Sequence, residues 1–381
     1  MFRKSAPSDS LAGVPIHLAF ITAAVVIGSA LLGCGAPTGP SIVLITVDGA
    51  LPERTPHLDG FAADAVVYEG AYAASSRSLA SHASVMTGLL PMQHGAQRDR
   101  DQLRPLSADA VTLAEHLLGA GYRTAGFVSN PDLRIDSGIS QGFRIYDDDG
   151  GLASEVTDRA IQVVTRFASE EGAVPYFLFV NFIADPASDA DVQLGRLLPS
   201  LDGALVAITS GHGARSGVRD GSMDFDLYEE SVRVPLLVRH PDLRGVSTPP
   251  EVPVQNHRLF GTILSAVPAT ASLATAEDAL GGPSRLIVTE VHDRSGAGLR
   301  ALYLRPYKLI QSTTGASEFY DLDRDPRESI DISVTSAKPY SRALKMLAQF
   351  SNANPPLYDA TRSSSVWPAT IAKLNALGTV E

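Results

Sequence analysis

The sequence predicts an α/β fold, with a central, largely parallel sheet flanked by helices and a small antiparallel β-rich subdomain at the C-terminal end. Three observations predict it. Strand-length runs such as Ile42–Val47 and Phe177–Phe182 are very apolar and do not alternate, the mark of strands buried on both faces. Segments of helical spacing separate these runs, as in β-α-β units. Beyond residue 284 the texture changes to short strands and turns.

In order, Ser41–Val47 reads as the first strand, and Thr55-Pro56 as an N-cap and first helical position opening a helix to Ala65. Asp109–Leu118 has helical spacing and ends at Gly119 and Gly121. Thr124–Val128 is a strand, Ser154–Ala168 a helix, Tyr176–Phe182 a strand, Asp189–Leu198 a helix and Ala204–Thr209 a strand. Pro235–Arg239 reads as a fourth long strand. Leu286–Val291, Ala301–Leu304, Lys308–Gln311 and Glu318–Tyr320 form the antiparallel part, before a helix at Ser341–Phe350. The expected organisation is a leader at 1–33, a linker at 34–40, an α/β domain at 41–270, a C-terminal subdomain at 271–350 and a loose tail at 351–381.

Composition sets the outer limits. Hydrophobic residues at 44% and charged residues at 19% permit a large core and exclude a disordered polyelectrolyte. A net charge of −11 with no run of Lys or Arg argues against a nucleic-acid partner. A single cysteine excludes an intrachain disulfide and a Cys-rich zinc site.

That cysteine closes the leader. Arg3 and Lys4 precede a mostly apolar stretch from Val14 to Gly33, which ends Leu31-Leu32-Gly33-Cys34. The ending resembles a bacterial lipobox, which implies lipidation of Cys34 and an exported protein on the cell-envelope surface, membrane-bound through its N-terminal lipid. The alternative is an uncleaved anchor, since these 20 residues could span a bilayer.

Ligands of open parallel sheets sit beyond the carboxyl ends of the strands. Asp48 lies just past the first strand and Gly211-His212-Gly213 just past Ala204–Thr209. The order of motifs is then recognisable: Ile42–Asp48, Thr55-Pro-His-Leu-Asp59, Ser78–Gly88, Gly121–Ala125, Ala207–Gly213, Tyr228–Pro235, Tyr307–Ile310 and Phe319–Pro326. Together they resemble the sulfatase family of the alkaline-phosphatase superfamily over residues 41–330. The resemblance implies sulfuric-ester hydrolysis by a formylglycine made from Cys or Ser in a (Cys/Ser)-x-Pro-x-Arg pattern. It also implies a divalent cation, usually calcium, held by about 6–8 oxygens.

On this chain the nucleophile position falls on Ser78, nine residues before Thr87, while the Pro of the pattern is Ala80 and its Arg is His82. Formylglycine is therefore not expected, and Ser78 is either a plain serine at the nucleophile position or a turn serine in a Ser-rich segment. The metal residues implied are Asp48 and His212. The acidic neighbour of Asp48 is Gly49, and the aspartate of the second metal segment is Gly211. One carboxylate is a weak set for a hard cation, so Asp48 and His212 are a residual metal site, or a strand-end Asp and a partly buried His. A pocket lysine is replaced by Asp224, a reversed charge. Lys308 reads as structural, and Asp147-Asp148-Asp149 as a solvated turn.

The expectation is a sulfatase-fold protein whose catalysis is lost or severely reduced, with a surface role in binding a protein or glycan. The alternative is an active hydrolase or phosphoryl transferase with unmodified Ser78 as nucleophile and His82 beside it.

Overall fold

A computed structural model describes residues 37–49, 55–99, 102–170, 174–183, 190–213, 226–240, 246–248, 252–274, 279–280, 286–292 and 298–358. The leader at 1–33, Cys34, Asp224 and the chain beyond residue 358 lie outside the described residues.

Eight strands form the main sheet: β1 (Ile42–Asp48), β2 (Val66–Tyr68), β3 (Arg123–Val128), β4 (Ile145–Asp147), β5 (Tyr176–Ile183), β6 (Leu205–Thr209), β7 (Leu236–Arg239) and β8 (Val246–Thr248). Their order is β8-β2-β7-β6-β1-β5-β3-β4. The pairs β1–β5, β1–β6, β3–β5 and β3–β4 are parallel, and β7 runs antiparallel to both β6 and β2. The strand expected at Pro235–Arg239 is therefore present and reversed in direction.

Alternation along the strands feeds two cores. Ile42, Leu44, Phe177 and Phe179 face α2 (Ser78–Thr87), α3 (Leu113–Gly119) and α6 (Leu259–Ser265). Val43, Ile45, Leu178 and Val180 face α1 (Pro56–Ala62), α4 (Ala153–Ser169) and α5 (Ala190–Leu197). Both sides are covered, which is why β1 and β5 carry no polar alternation until their last residues.

Helix α1 starts at Pro56 as expected but ends at Ala62, short of Ala65, and its cap is not the expected one. Thr55 makes no side-chain cap to α1; the carboxylate of Asp191 on α5 instead accepts from the His57 and Leu58 N–H groups at 3.2 and 3.0 Å. α3 begins at Leu113 rather than near Asp109, because Thr112 and Glu115 form a reciprocal capping box.

Four antiparallel strands, β9 (Ile287–His292), β10 (Gly298–Leu304), β11 (Tyr307–Ser312) and β12 (Ser317–Asp321), make the second sheet. Helix α7 covers one face with Ala343 and Leu347; it spans Ala337–Ala353, longer than the expected Ser341–Phe350. Lys308 on β11 is fully buried, with Glu328 at 2.7 Å and Glu229 at 3.1 Å. A fully buried ammonium paired with two carboxylates serves the fold. Asp147 pairs with Arg159 at 3.1 Å and Asp148 accepts the Ile135 N–H at 2.7 Å, so this acidic run is tied into the fold and is not a solvated turn.

Candidate functional site

The face of β1 that carries Ile42 and Leu44 turns polar at its carboxyl end, with Thr46 and Asp48. Register sets Asn181 of β5 beside Thr46, and Val128 at the end of β3 leads into Asn130. α2 lies over this edge with Ser78 as its first residue, Arg77 in extended conformation as N-cap, and Gly88 closing it with a left-handed φ of 71°. Ser78 is thus a helix-opening residue and not a turn serine. It is 2% exposed.

Asp48 is the hub. Its Oδ2 accepts from the Ser78 hydroxyl at 3.2 Å, Asn130 Nδ2 at 2.8 Å and Asn181 Nδ2 at 3.0 Å. Its Oδ1 accepts the Gly211 N–H at 2.9 Å, with His82 Nε2 at 3.7 Å. Oδ2 thus takes three donors, and Oδ1 takes one hydrogen bond and faces the His82 ring. Burial pushes the Asp48 carboxyl up, but the attraction of His82 and His212 and the amide bonds from Asn130 and Asn181 outweigh it and hold the group below the usual carboxylate value.

Both amides are fixed in the donating sense. Asn130 Oδ1 accepts the Asp132 N–H at 2.9 Å, and Asn181 Oδ1 accepts the Asn130 N–H at 3.2 Å. Turning either amide to present its oxygen to a cation breaks one of these bonds and sets two acceptors against each other. The amide orientation follows from this network.

His82, 1% exposed, is oriented just as firmly. Its Nδ1 lies 2.8 Å from the Ser78 carbonyl, which only accepts, so Nδ1 carries the proton. Its Nε2 is 3.0 Å from the Thr46 hydroxyl, which also takes an amide bond from Asn181 at 2.9 Å. The Ser78 hydroxyl is 3.4 Å from Nδ1, and that nitrogen has no lone pair free to take its proton.

His212 is buried at the loop after β6, with Nδ1 donating to the Gly213 carbonyl at 2.8 Å. It acts on Asp48 by charge, whereas Gly211 touches Asp48 directly. Of the residues expected from sequence, Asp48, Ser78 and His82 are brought into one network, His212 lies at its edge, and Cys34 falls outside the described residues. Sequence reading missed Thr46 and Asn181 and gave Asn130 no role. Asn181 had a signal: an amide inside an otherwise apolar buried strand must find partners.

This set does not fit a hard divalent cation. There is one carboxylate, both neighbouring amides present protons to it, and among the described residues no three His, Cys, Asp or Glu side chains are grouped to hold a metal ion.

No protein-family model matches the chain. Over 114 residues it is 29% identical to the N-acetylgalactosamine-6-sulfatase of Mus musculus, covering 26% of this chain and 22% of that protein. The enzyme of the same name from Rattus norvegicus matches to the same extent, so the match spans about a fifth of these relatives' length. Among solved structures, the yidJ protein from Bacteroides fragilis superimposes with a TM-score of 0.71 at 16% identity, over 87% of this chain and 100% of that one. A 2-O GAG sulfatase, BT1596, gives 0.65 at 16% identity over 87% and 94%. The phosphonate monoester hydrolase of Agrobacterium radiobacter gives 0.61 at 16% identity over 82% and 94%. At these identities the likeness is one of fold: the chain has the fold of these sulfatase structures.

Proposed function

We propose that this chain, built on the sulfatase fold, is an exported envelope protein in which the hydrolytic centre has become a closed structural network. Metal-dependent hydrolysis of sulfate esters is lost, and binding at the cell surface is what remains. The observation that carries this reading is the state of the Ser78 hydroxyl. Its proton goes to a carboxylate held below its ordinary value, a weak base. The imidazole beside it directs a proton, not a lone pair, toward the serine. A serine attacks only when a base or a metal takes its proton. The Ala80 and His82 substitutions support the reading from a second side, because the formylglycine pattern is gone.

The named relatives act on sulfated sugars by their descriptions, N-acetylgalactosamine-6-sulfatase and 2-O GAG sulfatase. A glycan is therefore the ligand class this reading carries over for the surface role. Export and attachment through a lipid on Cys34 come from the leader alone. Hydrolysis of aryl sulfates and aryl phosphates by the full-length chain in detergent, with Ser78→Ala alongside, tests the proposal. The expected result is no turnover above the Ser78→Ala background.

One contact favours a second reading. The Ser78 hydroxyl has Asp48, Asn130 and His82 all within 3.4 Å, a crowd of polar groups around one oxygen. In that reading the Ser78 oxygen bonds to the phosphorus or sulfur of an ester as the bond to the ester's alcohol oxygen breaks, and Asp48 takes the serine proton and returns it to the departing oxygen. Turnover that Ser78→Ala abolishes replaces the first reading with this one.

A further inference from the structure

We infer that His82 and Gly211 form one interlocked pair that occupies the cation position of this fold, so that the centre takes no divalent metal. The inference deepens the reading above and rests on it for the identity of the centre. A Cβ placed on Gly211 falls 2.3 Å from His82 Cε1, 2.7 Å from His82 Nδ1 and 2.6 Å from Asp48 Oδ1. A side chain at position 211 thus starts in the space between the imidazole and the Asp48 carboxylate, where two carboxylates would share a cation. The ring fills that space.

Glycine at 211 is not required by the backbone, since Gly211 is absent from the glycines with left-handed φ. It is required by the ring and by the Asp48 carboxylate, both of which a Cβ would overlap. The ring in turn cannot swing aside without losing the Ser78 carbonyl at 2.8 Å and the Thr46 hydroxyl at 3.0 Å, and the Phe179 ring stands edge-on to it at 6.1 Å. Each residue therefore fixes the other: the imidazole excludes a side chain at 211, and the missing side chain makes room for the imidazole. The negative charge of Asp48, which a cation would otherwise neutralise, is met by the Gly211 N–H and by the amides of Asn130 and Asn181.

The test is a thermal double-mutant cycle on the full-length chain in detergent, with Gly211→Ala, His82→Ala and both together, each melted in EDTA and in millimolar calcium. Residues in contact couple, and independent ones add. Gly211→Ala is expected to lower the melting temperature by several degrees with His82 present, and by clearly less in the His82→Ala background. Wild type is expected to melt at the same temperature in EDTA and in calcium, because a ligand that does not bind the native state cannot stabilise it. Equal losses in both backgrounds overturn the interlock. A calcium-dependent rise in wild type overturns the exclusion, and this arm decides the matter even if His82→Ala does not fold. Melting is read without any substrate, so the two proposals fail separately. Metal-independent turnover through Ser78 ends the functional reading and leaves the inference standing; calcium binding without turnover does the reverse.

Discussion

Asn130 donates its side-chain amide to the Asp48 carboxylate at 2.8 Å and cannot turn round, because the Asp132 N–H holds its oxygen at 2.9 Å. The same amide reaches the Ser78 hydroxyl at 2.7 Å. One asparagine thus joins the carboxylate and the serine that the motif order picks out. Around it, Asn181 and Gly211 donate to the same carboxylate.

Asp48→Asn tests how much of the fold depends on this closure. An amide at position 48 offers one oxygen to four donors and turns its own protons toward Asn130 and Asn181. Unsatisfied buried donors cost about 1–3 kcal/mol each, so a loss of about 3 kcal/mol is expected in urea denaturation. A variant within about 0.5 kcal/mol of wild type would show that the network contributes little.

His94 gives a pH dependence. It is buried, its Nδ1 accepts the Ala96 N–H at 3.0 Å, and its Nε2 lies 3.0 Å from the Ser84 hydroxyl, a neutral ring satisfied on both sides. Burial lowers its pKa from 6.5 to about 3. Between these values the unfolded chain binds a proton that the native state refuses. Stability is therefore full above 6.5 and lost as pH falls toward 3. At about pH 5 the loss from this group is about 2 kcal/mol. His94→Asn keeps an acceptor for Ala96 with nothing to protonate, and its stability is expected to fall less steeply over this range; an unchanged slope assigns the dependence elsewhere.

Helix α1 offers a local test of long-range capping. Asp191→Ala removes the acceptor for two N–H groups of α1, with an expected loss of about 1–2 kcal/mol. Thr55→Ala, which the sequence alone marks as the damaging change, is expected to stay within about 0.5 kcal/mol of wild type by chemical denaturation.

Cys34 carries the envelope assignment. Cells fed a labelled fatty acid are expected to label the chain, and Cys34→Ser to abolish the label and leave a longer, unprocessed chain on denaturing gels. Wild type that carries no label and keeps its leader points to the uncleaved anchor.

Much of the fold was legible because continuous apolar strands and helical spacing are local signals. Ile42–Val47 and Tyr176–Phe182 are buried on both faces, as their lack of alternation predicts. Two features were legible but misread: the Thr112–Glu115 capping box fixes the start of α3, and Ser78 begins a helix rather than a turn. The cap from Asp191 and the reversed direction of β7 were not legible. Both depend on which segments meet in space, and spacing along the chain does not record that. The motif order picks out Asp48, Ser78 and His82, which the fold brings together, and His212, which lies at the edge of their network. Thr46 and Asn181 were not legible, since their roles arise only when β1 and β5 set them side by side.

The central claim is that this sulfatase fold keeps its centre closed without a divalent cation. A calorimetric titration of the full-length chain in detergent with calcium, then manganese, tests it most directly. No binding heat is expected up to millimolar metal, for wild type and Asp48→Asn alike. Binding to wild type that Asp48→Asn abolishes would contradict it.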